Sequence, residues 1–96
     1  MSPINKKKLK KLRQRLYKLD DSFIYLIKKR SKLVKEVLKL KRHKNEIVDK
    51  KRSKVILTQI RKKSIKNNID PKITNRIWKN MIMSYIDYER RNFKKK

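Results

Sequence analysis

An arginine interrupts an apolar repeat in the first half of the sequence, and its position is the first that suggests chemistry. Apolar side chains recur at alternating steps of three and four from Leu9 to Leu40, and Arg30 occupies one of these positions. Burying a guanidinium is costly unless an anion meets it. Arg30 therefore predicts an anion-binding site, unless its charge stays at a helix edge or pairs with an acid.

Two further cations are related to Arg30 by their spacing. Lys41 follows Arg30 by eleven residues, or three helical turns, so the two side chains share a helix face and can point at one ligand. Arg13 precedes Arg30 by 17 residues, about 25 Å along a helix axis, so within one chain it cannot reach the same small molecule. In an antiparallel dimer it can. Because basic residues are common here, charge alone does not select these three.

One acidic residue stands out near the end of the chain. Glu89 is one of only eight acids, and it shares a predicted helix face with Ile82 and Tyr85. It is either a surface acid paired with Arg90 or a nearby lysine, or a hydrogen-bonding group inside an apolar and cationic pocket. The second alternative places a carboxyl group beside a bound anion.

Composition limits both the fold and the kind of site. The 96 residues include no Gly, two Pro and no Cys, which disfavours sheets and tight turns and predicts an all-α single domain over residues 1–96. With no Cys and a single histidine, His43, neither a disulfide nor a thiolate or histidine metal site is expected, and no metal or cofactor. No stretch approaches 18 consecutive apolar residues, so we expect a cytoplasmic, soluble protein without a membrane segment.

Three helices, one long and two shorter, are expected to position the candidate residues. Their predicted bounds are about 5–42, 49–66 and 71–91. Asp49 is the predicted N-cap of the second helix, and Asp70 followed by Pro71 is the start signal for the third. A single chain of this length cannot cover the first helix along its whole length. We therefore expect a homodimer.

The joint spacing of these residues resembles that of the all-helical, type II chorismate mutases. The matching stretches are residues 12–20 (LRQRLYKLD), 26–37 (LIKKRSKLVKEV), Lys41 and 49–52 (DKKR). Within them an arginine is followed by an aspartate seven residues on, an arginine ten further on and a lysine eleven further on. The Asp-x-x-Arg start of the second helix and the Asp-Pro start of the third also fit. The resemblance covers roughly residues 9 to 89.

The resemblance implies an intertwined homodimer with two active sites that rearrange chorismate to prephenate. Arg30 and Lys41 of one protomer and Arg13 of its partner would bind the substrate carboxylates, and Lys41 would also reach the ether oxygen. Arg52 would add positive field, and Asp49 would lie near the ring hydroxyl. The implied apolar walls are Val37, Ile56, Ile82 and Ile86.

The sequence departs from the family pattern at two positions. Ser53 stands where a glutamate usually receives the ring hydroxyl, and Tyr85 stands where a serine usually precedes the ether-binding residue by four. Ser53 is shorter but can accept a hydrogen bond, directly or through water. Glu89 occupies a position that is often glutamine, and its carboxyl can donate to the ether oxygen only when protonated. We therefore expect reduced activity that rises as the pH falls below neutral.

Other functions remain compatible with parts of the sequence. Isochorismate pyruvate lyases share the fold and need much the same set of cations. A net charge of +25 fits a basic helical nucleic-acid-binding protein. However, Phe23 and Trp78 fall on apolar stripes and no zinc-finger or RNP pattern is present, so no specific nucleic-acid partner is expected. A coiled-coil adaptor would explain the apolar repeat but not Arg30 within it.

Overall fold

The computed structural model describes residues 1–94. Within this range the chain forms helices and short connections and no strand. The elements in chain order are α1 (Pro3–Leu40), a 3-10 turn (Lys44–Glu46), α2 (Lys50–Lys66) and α3 (Pro71–Asn92). The prediction of an all-α chain with one long and two shorter helices is thus confirmed. The first helix ends at Leu40, two residues before the predicted bound, and the last two residues of the predicted domain lie outside the described range.

Short polar side chains determine where α2 and α3 begin. The Asp49 carboxylate accepts a hydrogen bond from the Arg52 backbone N–H at 2.9 Å, and the Asp70 carboxylate accepts one from the Lys72 N–H at 2.9 Å. Each bond satisfies a backbone donor that has no partner within its helix. Between the helices, Asn68 adopts a left-handed φ of 56°, a conformation that asparagine tolerates better than most residues. Both predicted N-caps are confirmed.

The chain divides into two compact units, residues 1–33 and residues 34–96. The first unit consists almost entirely of the N-terminal part of α1, and none of the residues of α1 is buried. The apolar stripe of this unit is largely exposed, with Leu12, Leu16, Phe23 and Leu26 among its exposed members. A continuous exposed apolar stripe is typical of an interaction surface.

The second unit holds the end of α1 and the packed pair α2 and α3. Among the described residues, Ile47 is its buried hydrophobic side chain, at 4% exposure. Both helices of the packed pair carry half-buried side chains, which are Ile56, Leu57 and Ile60 of α2 and Trp78, Met81, Ile82, Tyr85 and Ile86 of α3. Ile47 lies in the stretch where apolar periodicity lapses, so the sequence pattern did not reveal it as a core residue.

A buried pair of hydroxyl groups joins α2 to α3. Ser64 is 2% exposed, and its Oγ donates to the Ile60 carbonyl at 2.6 Å. The same Oγ lies 2.6 Å from Thr74 Oγ1, so the Thr74 hydroxyl completes the pair across the two helices. A buried hydrogen bond of this kind contributes about 1 kcal/mol to folding stability.

Replacing Thr74 with valine should lower the free energy of unfolding by about 1 kcal/mol, because the hydroxyl is lost while the side-chain volume is kept. Urea denaturation at a fixed protein concentration measures the change. Thr58→Val is the matched control, since Thr58 Oγ1 bonds to the Lys54 carbonyl within α2 and is exposed. Equal destabilisation by the two variants would mean that the contact between Ser64 and Thr74 adds nothing.

Candidate active site

A partly buried ion pair joins the residue that follows α1 to the last part of α3. Lys41 Nζ lies 2.9 Å from Glu89 Oε2, although 48 residues separate the two in the chain. The side chains are 19% and 8% exposed. The sequence leaves two alternatives for Glu89, a surface acid paired with Arg90 or a nearby lysine, or a hydrogen-bonding group inside an apolar and cationic pocket. The structure shows a buried carboxylate that accepts a hydrogen bond from a lysine. An ion pair removed from water in this way is stable only when its geometry is good.

The backbone around Lys41 is closed into a compact turn. Lys41 is the first residue after α1, and its N–H still donates to the Leu38 carbonyl at 3.1 Å. The next N–H, that of Arg42, donates to Glu46 Oε2 at 3.0 Å. Ile47 follows, buried, with its N–H donating to the Lys44 carbonyl at 3.2 Å. These contacts limit the positions that Lys41 can take.

Sequence reasoning missed Glu46 and Ile47, which both hold this turn. It treated residues 42–48 as a break in the apolar pattern. Two signals were nevertheless available: an isolated acid in a lysine-rich stretch, and the adjacent apolar residues Ile47 and Val48 where a solvated loop would be polar. Neither signal shows by itself which backbone group the acid binds, because that depends on the folded turn.

The candidate residues of α3 form one stripe beside the ion pair. Tyr85 precedes Glu89 by one helical turn, and Ile82 and Ile86 are likewise a turn apart. All but Glu89 are half-buried, and Glu89 is buried. A carboxyl group flanked by isoleucines and an aromatic ring, with a lysine as its partner, can hold a polar ligand atom at the edge of an apolar wall.

The candidate residues of α2 lie in its first two turns. Ser53 and Ile56 are half-buried, whereas Asp49 and Arg52 are exposed. One oxygen of Asp49 is engaged as the N-cap, which leaves the other oxygen and the Arg52 guanidinium available to a ligand. The cluster therefore offers a cation, an acceptor and a hydroxyl within one helix terminus.

The two candidate arginines of α1 belong to the other unit. Arg13 and Arg30 lie within residues 1–33, both are exposed, and within residues 1–94 neither forms an ion pair with a carboxylate. Val37, the candidate apolar residue of α1, is 47% exposed. Because the helix runs unbroken from Pro3 to Leu40, the spacing of 17 residues still keeps the two guanidinium-bearing positions about 25 Å apart along one axis.

Among residues 1–94 there is no group of three or more His, Asp or Glu side chains that could hold a metal ion. None of the helices described for these residues is both long and apolar enough to cross a membrane.

Comparison with known protein families identifies a family that this chain matches. A family model described as chorismate mutase type II matches residues 12–90, which is 79 of the 96 residues and includes the candidate positions from Arg13 to Glu89. Neither a curated protein nor a solved structure matches the chain.

Proposed function

This chain belongs to the type II chorismate mutase family, and we propose that it is an isomerase that converts chorismate to prephenate. The reaction is a 3,3-sigmatropic rearrangement: the ether C–O bond of the substrate breaks as a new C–C bond forms within the same molecule. It needs neither a nucleophile nor a base nor a metal. The proposal places the enzyme in phenylalanine and tyrosine biosynthesis, in the cytoplasm.

The observation that carries the proposal is the contact between Lys41 and Glu89. The family resemblance assigns both side chains to the ether oxygen of the substrate, and they lie 2.9 Å apart although they are distant in sequence. An ether oxygen placed beside this pair would receive a hydrogen bond from a second N–H of the Lys41 ammonium as negative charge grows on it. Donors aimed at charge that develops in the transition state accelerate a reaction more than donors that bind the ground state.

The remaining cations are proposed to hold the substrate in its reactive shape. The forked guanidinium of Arg30 suits a carboxylate, and Arg52 adds positive charge near the same site. Fixing both carboxylates brings the reacting carbons together in a compact, chair-like conformation. The free energy of binding then offsets the entropic cost of ordering the substrate before it reacts. Ile82 and Ile86 would exclude water from the substrate's apolar face.

The proposed site is completed by a second copy of the chain. The exposed apolar stripe of residues 9–40 needs a covering partner, and Arg13 lies too far along α1 from Arg30 to reach the same small molecule within one protomer. An intertwined homodimer would cover the stripe and bring Arg13 of the partner to each site. Its two sites would be related by a two-fold axis.

The first experiment follows the loss of chorismate absorbance on addition of the purified protein, with the products separated by chromatography. Prephenate formation supports the proposal. Release of pyruvate from isochorismate without prephenate formation would identify a lyase of the same fold instead. No turnover of either substrate from about pH 5 to about pH 8 would contradict the proposal, and would indicate that Ser53 and Tyr85 have disabled the site.

We expect Glu89→Gln to raise kcat, because an amide N–H₂ can donate to the ether oxygen alongside Lys41 while the amide oxygen still accepts from Lys41. The Glu89 carboxylate paired with Lys41 has no donor of its own. The measurement is kcat for both proteins under the same conditions. Asp87→Asn serves as the control, because Asp87 lies on the same helix and pairs with Arg91 in an exposed position. A kcat that is unchanged or lower in Glu89→Gln would contradict this role of Glu89.

A further inference from the structure

Helix α2 carries an unusually uniform positive charge. Its 17 residues include eight cations and no acid; the cations are Lys50, Lys51, Arg52, Lys54, Arg61, Lys62, Lys63 and Lys66. All eight are exposed, and the ion pairs found among residues 1–94 join other residues. We call these eight side chains the cationic face of α2. Catalysis as proposed above uses only Arg52 among them.

The other helices contain acids that offset some of their charge. Helix α3 has five cations and two acids, and one of these acids, Asp87, pairs with Arg91 four residues on. By contrast, Lys50 with Lys54 and Lys62 with Lys66 place like charges four residues apart in α2, where they repel each other. Since the face has no internal counter-charge, a bound polyanion would relieve this repulsion.

The cations cover the sides of α2 that its packing leaves open. The half-buried stripe of α2 contains Ile56, Leu57 and Ile60, and α2 packs against α3. At about 100° per residue, Lys51, Lys62 and Lys66 lie roughly opposite this stripe. On one flank, other cations of the face line a groove of about 460 Å³ together with Pro71 and Asn75 of α3; they are Lys50, Lys54 and Arg61.

We propose that the cationic face of α2 binds the phosphate backbone of duplex nucleic acid without sequence selection. From its first to its last residue α2 rises about 24 Å, which matches roughly seven base pairs of duplex. The helix has no aromatic residue on which unstacked bases could lie, which favours a duplex over a single strand. An anionic membrane is disfavoured because it requires a broad free apolar face, and the apolar stripe of α2 is already half-buried.

The test uses the full-length protein and a fluorescein-labelled duplex of random sequence, with the dissociation constant measured by anisotropy between 50 and 200 mM KCl. The test variant combines Lys51→Gln, Lys62→Gln and Lys66→Gln. The control removes the same charge elsewhere, by Lys72→Gln, Lys79→Gln and Lys94→Gln, from residues that are also exposed. None of these six residues belongs to the proposed active site, so turnover of chorismate should be unchanged in both variants.

For duplex DNA, the logarithm of the binding constant falls linearly with the logarithm of the salt concentration, with a slope of about −0.9 for each phosphate neutralised. Removing three phosphate-binding charges should therefore make the slope of the test variant shallower by about 2.7, while the control keeps the slope of the unmodified protein. That result would support the cationic face as the binding surface. Equal losses in the two variants would mean that net charge alone attracts the duplex and would overturn the proposal. Absence of binding at 50 mM KCl would overturn it as well, as would tighter, α2-dependent binding to vesicles containing phosphatidylserine.

Discussion

Replacing Lys41 with alanine is expected to lower kcat for chorismate about a hundredfold to a thousandfold, the range found when a single donor to a developing oxyanion is removed. The loss should fall mainly on kcat, because the ether oxygen acquires its negative charge only as the C–O bond lengthens. Steady-state kinetics on the purified variant measure this division between kcat and KM. A variant that keeps most of its kcat would contradict the proposed role of Lys41.

Two further variants separate catalysis from folding. Lys39→Ala removes a lysine from the last turn of α1, where it is exposed, and should leave kcat close to that of the unmodified enzyme. Lys41→Ala also leaves the Glu89 carboxylate buried without its partner, which is destabilising in itself. The double variant Lys41→Ala with Glu89→Gln removes that unpaired charge. If thermal stability recovers in the double variant while kcat stays low, the loss is catalytic and not structural.

The helix starts were predictable because their signals are local. An aspartate that precedes a helix accepts a hydrogen bond from a backbone N–H within the first turn, so Asp49 and Asp70 act within two or three residues of themselves. The absence of Gly and the steps of three and four in α1 are likewise properties of short stretches. Such signals determine which elements form, and they account for the agreement in helix number and order.

The turn after α1 was not predictable in the same way. Its closure depends on the Glu46 carboxylate reaching back to the Arg42 N–H and on Ile47 becoming buried. A lapse in periodicity predicts only that a helix ends. It says nothing about which side chains close the turn.

The pairing of Lys41 with Glu89 shows what the family resemblance adds and what it leaves out. Spacing alone favoured Lys41 because, on a continuous helix, it lies three turns from Arg30. In the structure α1 ends one residue before Lys41, so Lys41 lies just outside this helix. The resemblance assigned Lys41 and Glu89 to the same substrate atom but did not imply that they form an ion pair in the absence of substrate. That contact depends on how the ends of α1 and α3 approach each other, and residues 48 apart carry no local signal of it.

The cross-chain role of Arg13 predicts a recovery of activity that a single-chain site cannot give. Arg13→Ala and Arg30→Ala should each lower kcat/KM by two to three orders of magnitude, because each removes a charged donor from a desolvated carboxylate. In a mixed dimer, however, both substitutions fall in one site and the other site keeps all of its residues. Random exchange between equal amounts of the two variants makes half of the dimers mixed, so about a quarter of the sites become intact.

The mixing experiment has an internal control in Arg15, an exposed arginine two residues beyond Arg13 that the proposed site does not use. Arg15→Ala should remain active alone. The two inactive variants are unfolded together, refolded and assayed, and are compared with each variant refolded separately. Recovery to about a quarter of the unmodified activity requires that Arg13 and Arg30 of one site come from different chains. The opposite outcome is a mixture that stays as inactive as its components although both refold as dimers. In that case the two arginines would serve a site within one chain, and α1 could not be the unbroken helix that keeps them apart when substrate binds.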